Sequence, residues 1–237
     1  MKKNNTREAF PQLFKVSVII PALNPPKALI QLVHDIKAGG IQKIVVVNDG
    51  SSKDHKEIFE KVSQIGATVL NHPINRGVGA AIKTGIAYVA QNHLSSIGVI
   101  TADSDGQHSA KDVINIANLL KEHPESVILG VRHIHFFKLP LRNFIGNLFA
   151  RTIFRVLKGK KISDTQCGLR AFPISLEPHL LALSGQQFEY VTQMLVYLVR
   201  SDIQIIEVPI ETIYARHIKS HFRPLYDSWA IIKALIK

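Results

Sequence analysis

The most informative part of this chain is the run Ile97-Gly98-Val99-Ile100-Thr101-Ala102-Asp103-Ser104-Asp105-Gly106-Gln107. Its first half is short and apolar, which is typical of a buried strand, and its second half is polar. The glycine lets the chain turn, so Gln107 can join the carboxylates of Asp103 and Asp105. Hard oxygen ligands of this kind suit a divalent cation that carries phosphates. An Asp-rich turn that caps a helix starting near Ala110 would also explain the isolated motif.

Apolar runs that end at Pro, Asn, Asp or Gly recur along the chain and alternate with helical patterns. The runs predict strands at residues 16–20, 44–47, 67–70 and 99–100. The helical patterns cover residues 27–38, 53–64, 78–93 and 110–123. Such alternation predicts an α/β fold with a doubly wound, mostly parallel sheet, whose ligands bind beyond the carboxyl ends of the strands. The four strand-end loops are therefore expected at one edge of the sheet.

Composition narrows the class of protein. With 237 residues, 46% of them hydrophobic, the chain can bury one sizeable core, and we expect one domain with a smaller C-terminal elaboration. Cys167 is the single cysteine, which rules out an internal disulfide and favours a reducing cytoplasm. Residues 1–12 are polar, and no run approaches the roughly 18 apolar residues that span a bilayer. We therefore expect a protein that is not itself transmembrane.

The net charge calls for an anionic partner. Lys and Arg number 29 against 18 Asp and Glu, a formal charge of +11. Nucleic acid, nucleotide phosphates and an acidic membrane surface all meet this requirement. A basic nucleic-acid-binding module is the alternative from a different class of protein. It is disfavoured because the cations are scattered and the chain has no recognisable nucleic-acid-binding motif or aromatic ladder.

The other strand-end loops are further candidates for ligand binding. They comprise residues 21–26, 48–52 and 71–79. The first has no glycine fingerprint, which disfavours a dinucleotide-binding oxidoreductase. Asn48-Asp49-Gly50-Ser51 is by itself also a good structural turn, and Gly77-Val78-Gly79 also fits tight helix packing. Arg76 and Lys83 lie at the electropositive start of the next helix, which indicates a phosphate-facing role.

Seven short motifs follow one another in a definite order. They are residues 18–24, 48–51, 75–81, 103–107, 130–132, 164–170 and 207–210. In this order they resemble family 2 glycosyltransferases of the GT-A fold, especially the polyprenyl-phosphate sugar transferases typified by dolichyl-phosphate mannose synthase. The resemblance runs from Val16 to about Leu235. The chain departs from the family pattern at Asn24-Pro25, where Asn-Glu is usual, and at Asn48, where Asp is commoner, so the donor sugar stays open.

The resemblance implies a metal-dependent transferase that acts on a nucleotide sugar, either a UDP-sugar or GDP-mannose. It implies that Asp103, Asp105 and Gln107 hold Mg²⁺ or Mn²⁺, with Asp105 also counted among the catalytic residues. The nucleotide-binding residues expected from it are Pro21, Ala22, Leu23, Asn24, Asp49, Arg76, Gly77, Lys83 and Ser104. The fold it implies is a GT-A sheet with a C-terminal elaboration of helix and strand on the acceptor side.

The acceptor follows from the chemistry of the transfer. As the sugar–phosphate bond breaks, the anomeric carbon becomes oxocarbenium-like, and an in-line nucleophile inverts its configuration. A lipid phosphate is already an anion near neutral pH, so it needs cationic positioning rather than a strong base. Arg132 and Arg142 are the candidates for this positioning. Arg142 lies on the apolar side of a helix predicted over about residues 141–157, and pairing with Asp164 is its structural alternative. This helix could also rest in a membrane interface.

The C-terminal part is basic and resembles the family's mobile flap over the donor phosphates. Residues expected at the acceptor or in the flap are Asp164, Arg170, Arg216, His221 and Arg223. The predicted organisation is a polar tail over residues 1–14, a glycosyltransferase domain over 15–215, and a flap with an amphipathic helix over 216–237. The chain either ends naturally as a peripheral protein or is a catalytic domain trimmed of membrane helices.

The predicted function is inverting transfer of a hexose or N-acetylhexosamine to undecaprenyl phosphate or a similar polyprenyl phosphate. The alternative is transfer to a carbohydrate hydroxyl in cell-wall or surface polysaccharide synthesis, which needs a carboxylate base that the sequence does not assign. We expect a cytoplasmic protein, peripheral at the inner face of the cell membrane, with a possible membrane-helix partner and no nucleic acid.

Overall fold

Strands and helices alternate along the residues that the computed structural model describes, which are 15–132, 162–211 and 213. The strands are β1 (Val16–Ala22), β2 (Lys43–Asp49), β3 (Thr68–His72), β4 (Gly98–Thr101), β5 (Val127–Arg132), β6 (Arg170–Pro173) and β7 (Ile205–Ile210). The helices are α1 (Ala28–Ala38), α2 (Lys56–Gln64), α3 (Val78–Asn92), α4 (Ala110–Glu122), α5 (Glu177–Ala182) and α6 (Phe188–Arg200). Short 3₁₀ turns precede α2 at Lys53–His55 and α5 at Ile174–Leu176.

The seven strands form one sheet in the order β3-β2-β1-β4-β6-β5-β7. Its neighbouring pairs are parallel except for β6, which runs antiparallel to both β4 and β5. The carboxyl ends of six strands and the start of β6 therefore meet at one edge, here called the carboxyl edge. This confirms the predicted doubly wound, mostly parallel α/β sheet.

Apolar side chains cover both faces of the sheet, which explains why its strands read as continuous apolar runs. Val18 and Ile20 of β1 point to one face, where α1, α2 and α4 pack. Ile19 points to the other face, where α3, α5 and α6 pack. The buried helical residues recur at the spacing of one helix face, so each helix presents an apolar side to the sheet.

The four strands and four helices predicted within residues 16–123 are all present, and the differences lie at the strand ends. Asn48-Asp49 and Asn71-His72, which the sequence places in loops, belong to β2 and β3. They extend the strands because they pair in register, Asn48 with Asn71 and Asp49 with His72. Polar residues that a local pattern assigns to a loop can thus continue a strand when a neighbouring strand pairs with them.

Several sequence predictions lie outside the described residues. They are the polar tail over 1–14, the helix over 141–157 with Arg142, and the flap with Arg216, His221 and Arg223. Among the residues that are described, none of the helices combines the length and the apolar character needed to cross a membrane.

Candidate active site

The acidic loop, residues 103–107, follows β4 at the carboxyl edge and forms a tight turn. The Gln107 backbone N–H donates to Asp105 Oδ1 at 2.9 Å, and Gln107 Nε2 donates to Asp105 Oδ2 at 2.6 Å. Gly106 allows this turn, since its φ of +84° lies in the region that favours glycine. Gln107 therefore reaches Asp105 with its amide NH₂ group toward the carboxylate.

The two carboxylates of this loop influence each other. Burial raises the pKa of the Asp105 carboxyl and the nearby Asp103 carboxylate raises it further, while the hydrogen bonds from Gln107 act in the opposite direction. The Asp103 side chain is 44% exposed, so the pair opens toward solvent. A cation placed there would relieve the repulsion between the two negative charges.

The donor set of the acidic loop fits a divalent cation that is shared with a phosphate ligand. Within 15–132 and 162–211, no three His, Cys, Asp or Glu side chains come together as a self-sufficient metal site. Mg²⁺ is usually held by one or two carboxylates together with substrate phosphates rather than by an all-protein cage. Asp103 and Asp105 would supply the carboxylates in such an arrangement.

The segment 164–170 packs directly beside the acidic loop. A Cβ atom added to Gly168 would lie 2.7 Å from Asp103 Cγ, so the lack of a side chain at this position allows the close approach seen here. Thr101 Oγ1 donates to the Gly168 carbonyl at 2.8 Å and ties the segment to the end of β4. Residues as far as 67 positions apart in the chain thus form one continuous surface at the carboxyl edge.

Arg132, at the end of β5, forms a two-pronged ion pair with buried Asp164. Arg132 Nε lies 2.7 Å from Asp164 Oδ2, and Nη2 lies 3.1 Å from Oδ1. Burial alone would raise the pKa of Asp164, but the Arg132 guanidinium and backbone N–H donors lower it overall. The pairing that the sequence offered as the alternative for Arg142 is therefore made by Arg132.

Arg170 is buried, only 2% exposed, and donates to three backbone carbonyls. Its partners are Cys167 at 2.9 Å, Val191 at 2.9 Å and Thr165 at 3.0 Å. Burial lowers the pKa of this guanidinium, which the nearby carboxylates offset only in part. Arg170 was expected at the acceptor, but here it holds the 164–170 segment against α6 from beneath the surface.

Cys167 is a free thiol buried beneath this surface. Burial and the charge of Asp164 raise the pKa of its thiol to about 12. His108 Nε2 lies 3.9 Å from its sulfur, a neighbour that the sequence spacing did not reveal. A thiol with so high a pKa is not a nucleophile near neutral pH.

Asp49 ends β2 and gathers the loop that leads into α3. Its carboxylate accepts the Arg76 N–H at 2.9 Å and the Gly77 N–H at 2.7 Å, and His72 Nδ1 lies 2.6 Å from Oδ1. His72 Nε2 in turn contacts Thr84 Oγ1 at 3.0 Å. Asp49 is only 3% exposed, so its observed role is to shape this loop. Its predicted contact with a nucleotide base stays a prediction.

The loops after β1 and β2 are joined by side-chain hydrogen bonds. The Asn24 N–H donates to Ser51 Oγ at 2.9 Å, and the Ser52 N–H donates to Asn24 Oδ1 at 2.9 Å. Asn24 is exposed and has a positive φ of 49°, a conformation that Asn tolerates. Other predicted nucleotide residues lie along the same edge, with Ala22 buried and Pro21, Leu23 and Ser104 half-buried.

The start of α3 differs from the predicted phosphate site. The Gln186 carbonyl accepts the Ala80 N–H at 2.9 Å, so protein backbone already satisfies one of the free N–H groups there. A Cβ atom at Gly79 would lie 2.9 Å from that same carbonyl oxygen. The glycines therefore allow α3 to pack closely against the segment before α6. Tight helix packing was the alternative role that the sequence left open for them.

Lys83 and Arg76, both predicted to face a phosphate, lie in different surroundings. Lys83 Nζ donates to the Leu183 carbonyl and lies 4.9 Å from the centre of the Tyr190 ring. Burial lowers the pKa of this amine, and Glu189 opposes that shift. Lys83 thus points toward the α5–α6 region because that neighbour supplies its acceptor. Arg76 has an exposed side chain beside Asp49.

Three residues to which the sequence assigned no individual role support this edge. His72 braces Asp49, and Glu207 of β7 accepts both the Ser163 N–H and the Ser163 hydroxyl at 2.6 Å. His108 touches the acidic loop through the Asp103 N–H at 3.0 Å. His108 directly follows Gln107, so its closeness to the acidic loop was the one signal available in the sequence.

The fold matches that of solved GT-A glycosyltransferases. A glucosyl-3-phosphoglycerate synthase from Mycobacterium tuberculosis, solved with Mn²⁺, UDP-glucose and phosphoglyceric acid, superposes with a TM-score of 0.68. The match covers 94% of this chain and 79% of that one, at 19% sequence identity. At this identity the likeness establishes the fold alone.

Sequence comparison identifies the family. Residues 17–177 match the family model of glycosyl transferase family 2, and the chain belongs to that family. A protein of Methanocaldococcus jannaschii without an assigned function is 30% identical over 240 residues, covering 100% of this chain and 97% of the relative. A UDP-N-acetylglucosamine–dolichyl-phosphate N-acetylglucosaminyltransferase of Methanococcus voltae is 29% identical over 220 residues, covering 85% of this chain and 87% of the relative.

Proposed function

We propose that this glycosyltransferase moves a hexose or N-acetylhexosamine from a nucleotide sugar to a polyprenyl phosphate, with inversion at the anomeric carbon. The observation that carries the proposal is the packing of the acidic loop against the segment that holds Asp164 and Arg132. A site for a cation and its diphosphate thereby lies beside a guanidinium suited to a second phosphate. The name of the Methanococcus voltae relative supports a lipid phosphate as that second phosphate.

In this proposal, different residues bind the donor diphosphate and the acceptor phosphate. Mg²⁺ or Mn²⁺, when bound, would neutralise the negative charge that develops on the leaving diphosphate. Asp103 and Asp105 would hold the cation, and Gln107 keeps Asp105 oriented. Because the acceptor is itself an anion, the site needs no general base.

Arg132 is the residue that would position the acceptor phosphate. Its Nε and Nη2 groups donate to Asp164, and 26% of its side chain is exposed, which keeps the guanidinium within reach of an anion. Asp164 holds the guanidinium plane in one orientation, which favours paired hydrogen bonds to phosphate oxygens. Arg142 is a second candidate from the sequence and stays a prediction.

A lipid acceptor would bring the protein to the membrane surface. The formal charge of +11 would attract it to an acidic inner face, since each basic residue near such a surface contributes about 1 kcal/mol. We therefore propose peripheral association with the inner face of the cell membrane. A membrane-helix partner stays a prediction.

A donor and acceptor screen tests the proposal. Purified protein with Mn²⁺ or Mg²⁺ is incubated with UDP-sugars or GDP-mannose and with a short-chain polyprenyl phosphate in detergent. The matched control is the polyprenol without its phosphate, and NMR of the product gives the anomeric configuration. We expect transfer only to the phosphate. Transfer to a sugar hydroxyl but not to the lipid phosphate would favour the polysaccharide alternative.

A further inference from the structure

We propose that His108 is a positioning residue that holds the acidic loop in the shape required for cation binding. This inference rests on the proposed function, which assigns the divalent cation to Asp103 and Asp105. His108 lies at the start of the turn before α4 and is only 5% exposed. Its ring is therefore packed inside the protein, directly beneath the loop that it contacts.

One ring nitrogen closes the loop through the main chain. His108 Nδ1 accepts the Asp103 backbone N–H at 3.0 Å, which joins the first residue of the acidic loop to the residue that follows the loop. A ring nitrogen that accepts a hydrogen bond from a backbone N–H carries no proton of its own, so a proton lies on Nε2. The contact fixes the backbone of Asp103, and with it the starting point of the side chain.

The other ring nitrogen faces the Asp103 carboxylate and the neighbouring wall. Nε2 lies 3.6 Å from Asp103 Oδ2 and 3.9 Å from Cys167 Sγ. Gly168, the next residue along the chain, also packs against this carboxylate. His108 and Gly168 thus both border the Asp103 side chain, which limits the directions in which its carboxylate can turn.

The polar character of His108 distinguishes positioning from simple packing. An apolar side chain of similar size would fill the space but would leave the Asp103 N–H without this acceptor. The turn could then relax, and the two carboxylates would lose their shared orientation. Loss of a residue that orients a metal ligand typically weakens metal binding 10–100-fold.

Two substitutions separate these possibilities. His108→Asn keeps an acceptor oxygen near the place of Nδ1, whereas His108→Leu keeps bulk without an acceptor. Mn²⁺ affinity is measured by EPR with saturating UDP and, in parallel, GDP. We expect His108→Leu to weaken Mn²⁺ binding about tenfold or more, and His108→Asn to restore most of it. His93→Leu is the matched control, because His93 is bonded to Ser17 at the opposite edge of the sheet.

A measurement without metal completes the test. NMR of ¹⁵N-labelled protein should detect a coupling across the hydrogen bond between the Asp103 amide nitrogen and His108 Nδ1, and His108→Leu should lack it. Thermal unfolding monitors the fold of each variant. If His108→Leu does not fold, His108→Asn and the NMR coupling of the wild type decide the question.

The possible failures are distinguishable. Mn²⁺ affinity equal to wild type in folded His108→Leu, or equal loss in both variants, would overturn the role of His108 and leave the proposed function intact. The absence of the NMR coupling in the wild type would also overturn it. No Mn²⁺ binding by the wild type with either nucleotide would overturn the metal assignment, and the role of His108 with it.

Discussion

Individual residues at this site act mainly by holding one another in place. Asp49, Asp164 and Arg170 are all buried, and each makes at least three hydrogen bonds that shape a loop. A buried charge is tolerated only when such bonds replace its water. The exposed residues of the same edge, such as Asp103 and Arg76, are then free to meet a ligand.

Asp105→Asn is expected to abolish turnover and to weaken metal-dependent nucleotide binding. The amide lacks the negative charge that a cation requires, while the fold should persist because the repulsion with Asp103 is relieved. Calorimetric titration with nucleoside diphosphate, with and without Mn²⁺, checks the binding, and thermal unfolding checks the fold. Full activity with a nucleotide sugar in this variant would contradict the metal assignment.

Asp49→Ala is expected to weaken donor binding in the absence of lipid and also to lower stability. The substitution leaves the Arg76 and Gly77 N–H groups without their acceptor, a loss of about 1–3 kcal/mol for each donor that stays buried. Denaturant unfolding and nucleotide titration measure the two effects separately. The control is His72→Asn, which perturbs the brace but keeps the carboxylate. Reduced stability with unchanged donor affinity would assign Asp49 to loop structure alone.

Arg132→Lys is the informative change at the proposed acceptor site. It keeps the positive charge opposite Asp164 but loses the planar guanidinium group. We therefore expect kcat to fall or the KM for the acceptor to rise, while donor affinity stays near wild type. Arg132→Ala is less specific, because it leaves Asp164 buried and unpaired at a typical loss of about 3–5 kcal/mol. If Arg132→Lys weakened donor binding as much as it impaired use of the acceptor, Arg132 would instead be assigned to the diphosphate of the donor.

At the scale of secondary-structure elements, the two edges of the sheet have different chemistry. The carboxyl edge gathers carboxylates and a guanidinium, whereas hydroxyl and imidazole groups meet at the opposite edge beside Lys43. There Ser17 of β1 contacts His93 Nδ1 at 2.9 Å and Ser96 Oγ at 2.7 Å, which ties the end of α3 to the start of β1. This junction contributes to the stability of the fold and lies away from the loops at the carboxyl edge.

The junction at His93 predicts an acid-sensitive stability. Burial, assisted by Lys43, lowers the pKa of His93, so the folded state resists protonation while the unfolded state takes up a proton near the usual value of about 6.5. The stabilisation is therefore present above that pH and is lost as the pH falls below it. His93→Gln should show a smaller drop in Tm between pH 7.5 and 5.5 than the wild type. An identical drop would contradict this origin.

At the scale of the whole molecule, the excess of positive charge governs association. With a formal charge of +11, the protein should bind vesicles that contain acidic lipid and release them as salt screens the attraction. Co-sedimentation with acidic and with zwitterionic vesicles at rising salt measures this. Equal binding to both vesicle types, without a salt effect, would count against an electrostatic approach to the membrane.

The order of the first four strands and four helices and the place of the acidic loop were predictable from the chain. Both depend on neighbours in sequence: the period of apolar residues sets each element, and parallel strands bring their carboxyl ends to one edge. Asp103, Asp105 and Gln107 are likewise close in the chain, so their meeting requires only one turn at Gly106.

The partners of the buried charges depend on contacts between distant parts of the chain. Lys83 reaches the Leu183 carbonyl and Ala80 donates to the Gln186 carbonyl, each at least 100 residues away. Arg132 meets Asp164, and Arg170 turns inward to Val191. A charged side chain takes whichever acceptor packing brings within about 3 Å, and local periodicity carries no information about that distance. For this reason the chain predicts which loops form the site, while the folded structure determines which of their side chains support it and which face a ligand.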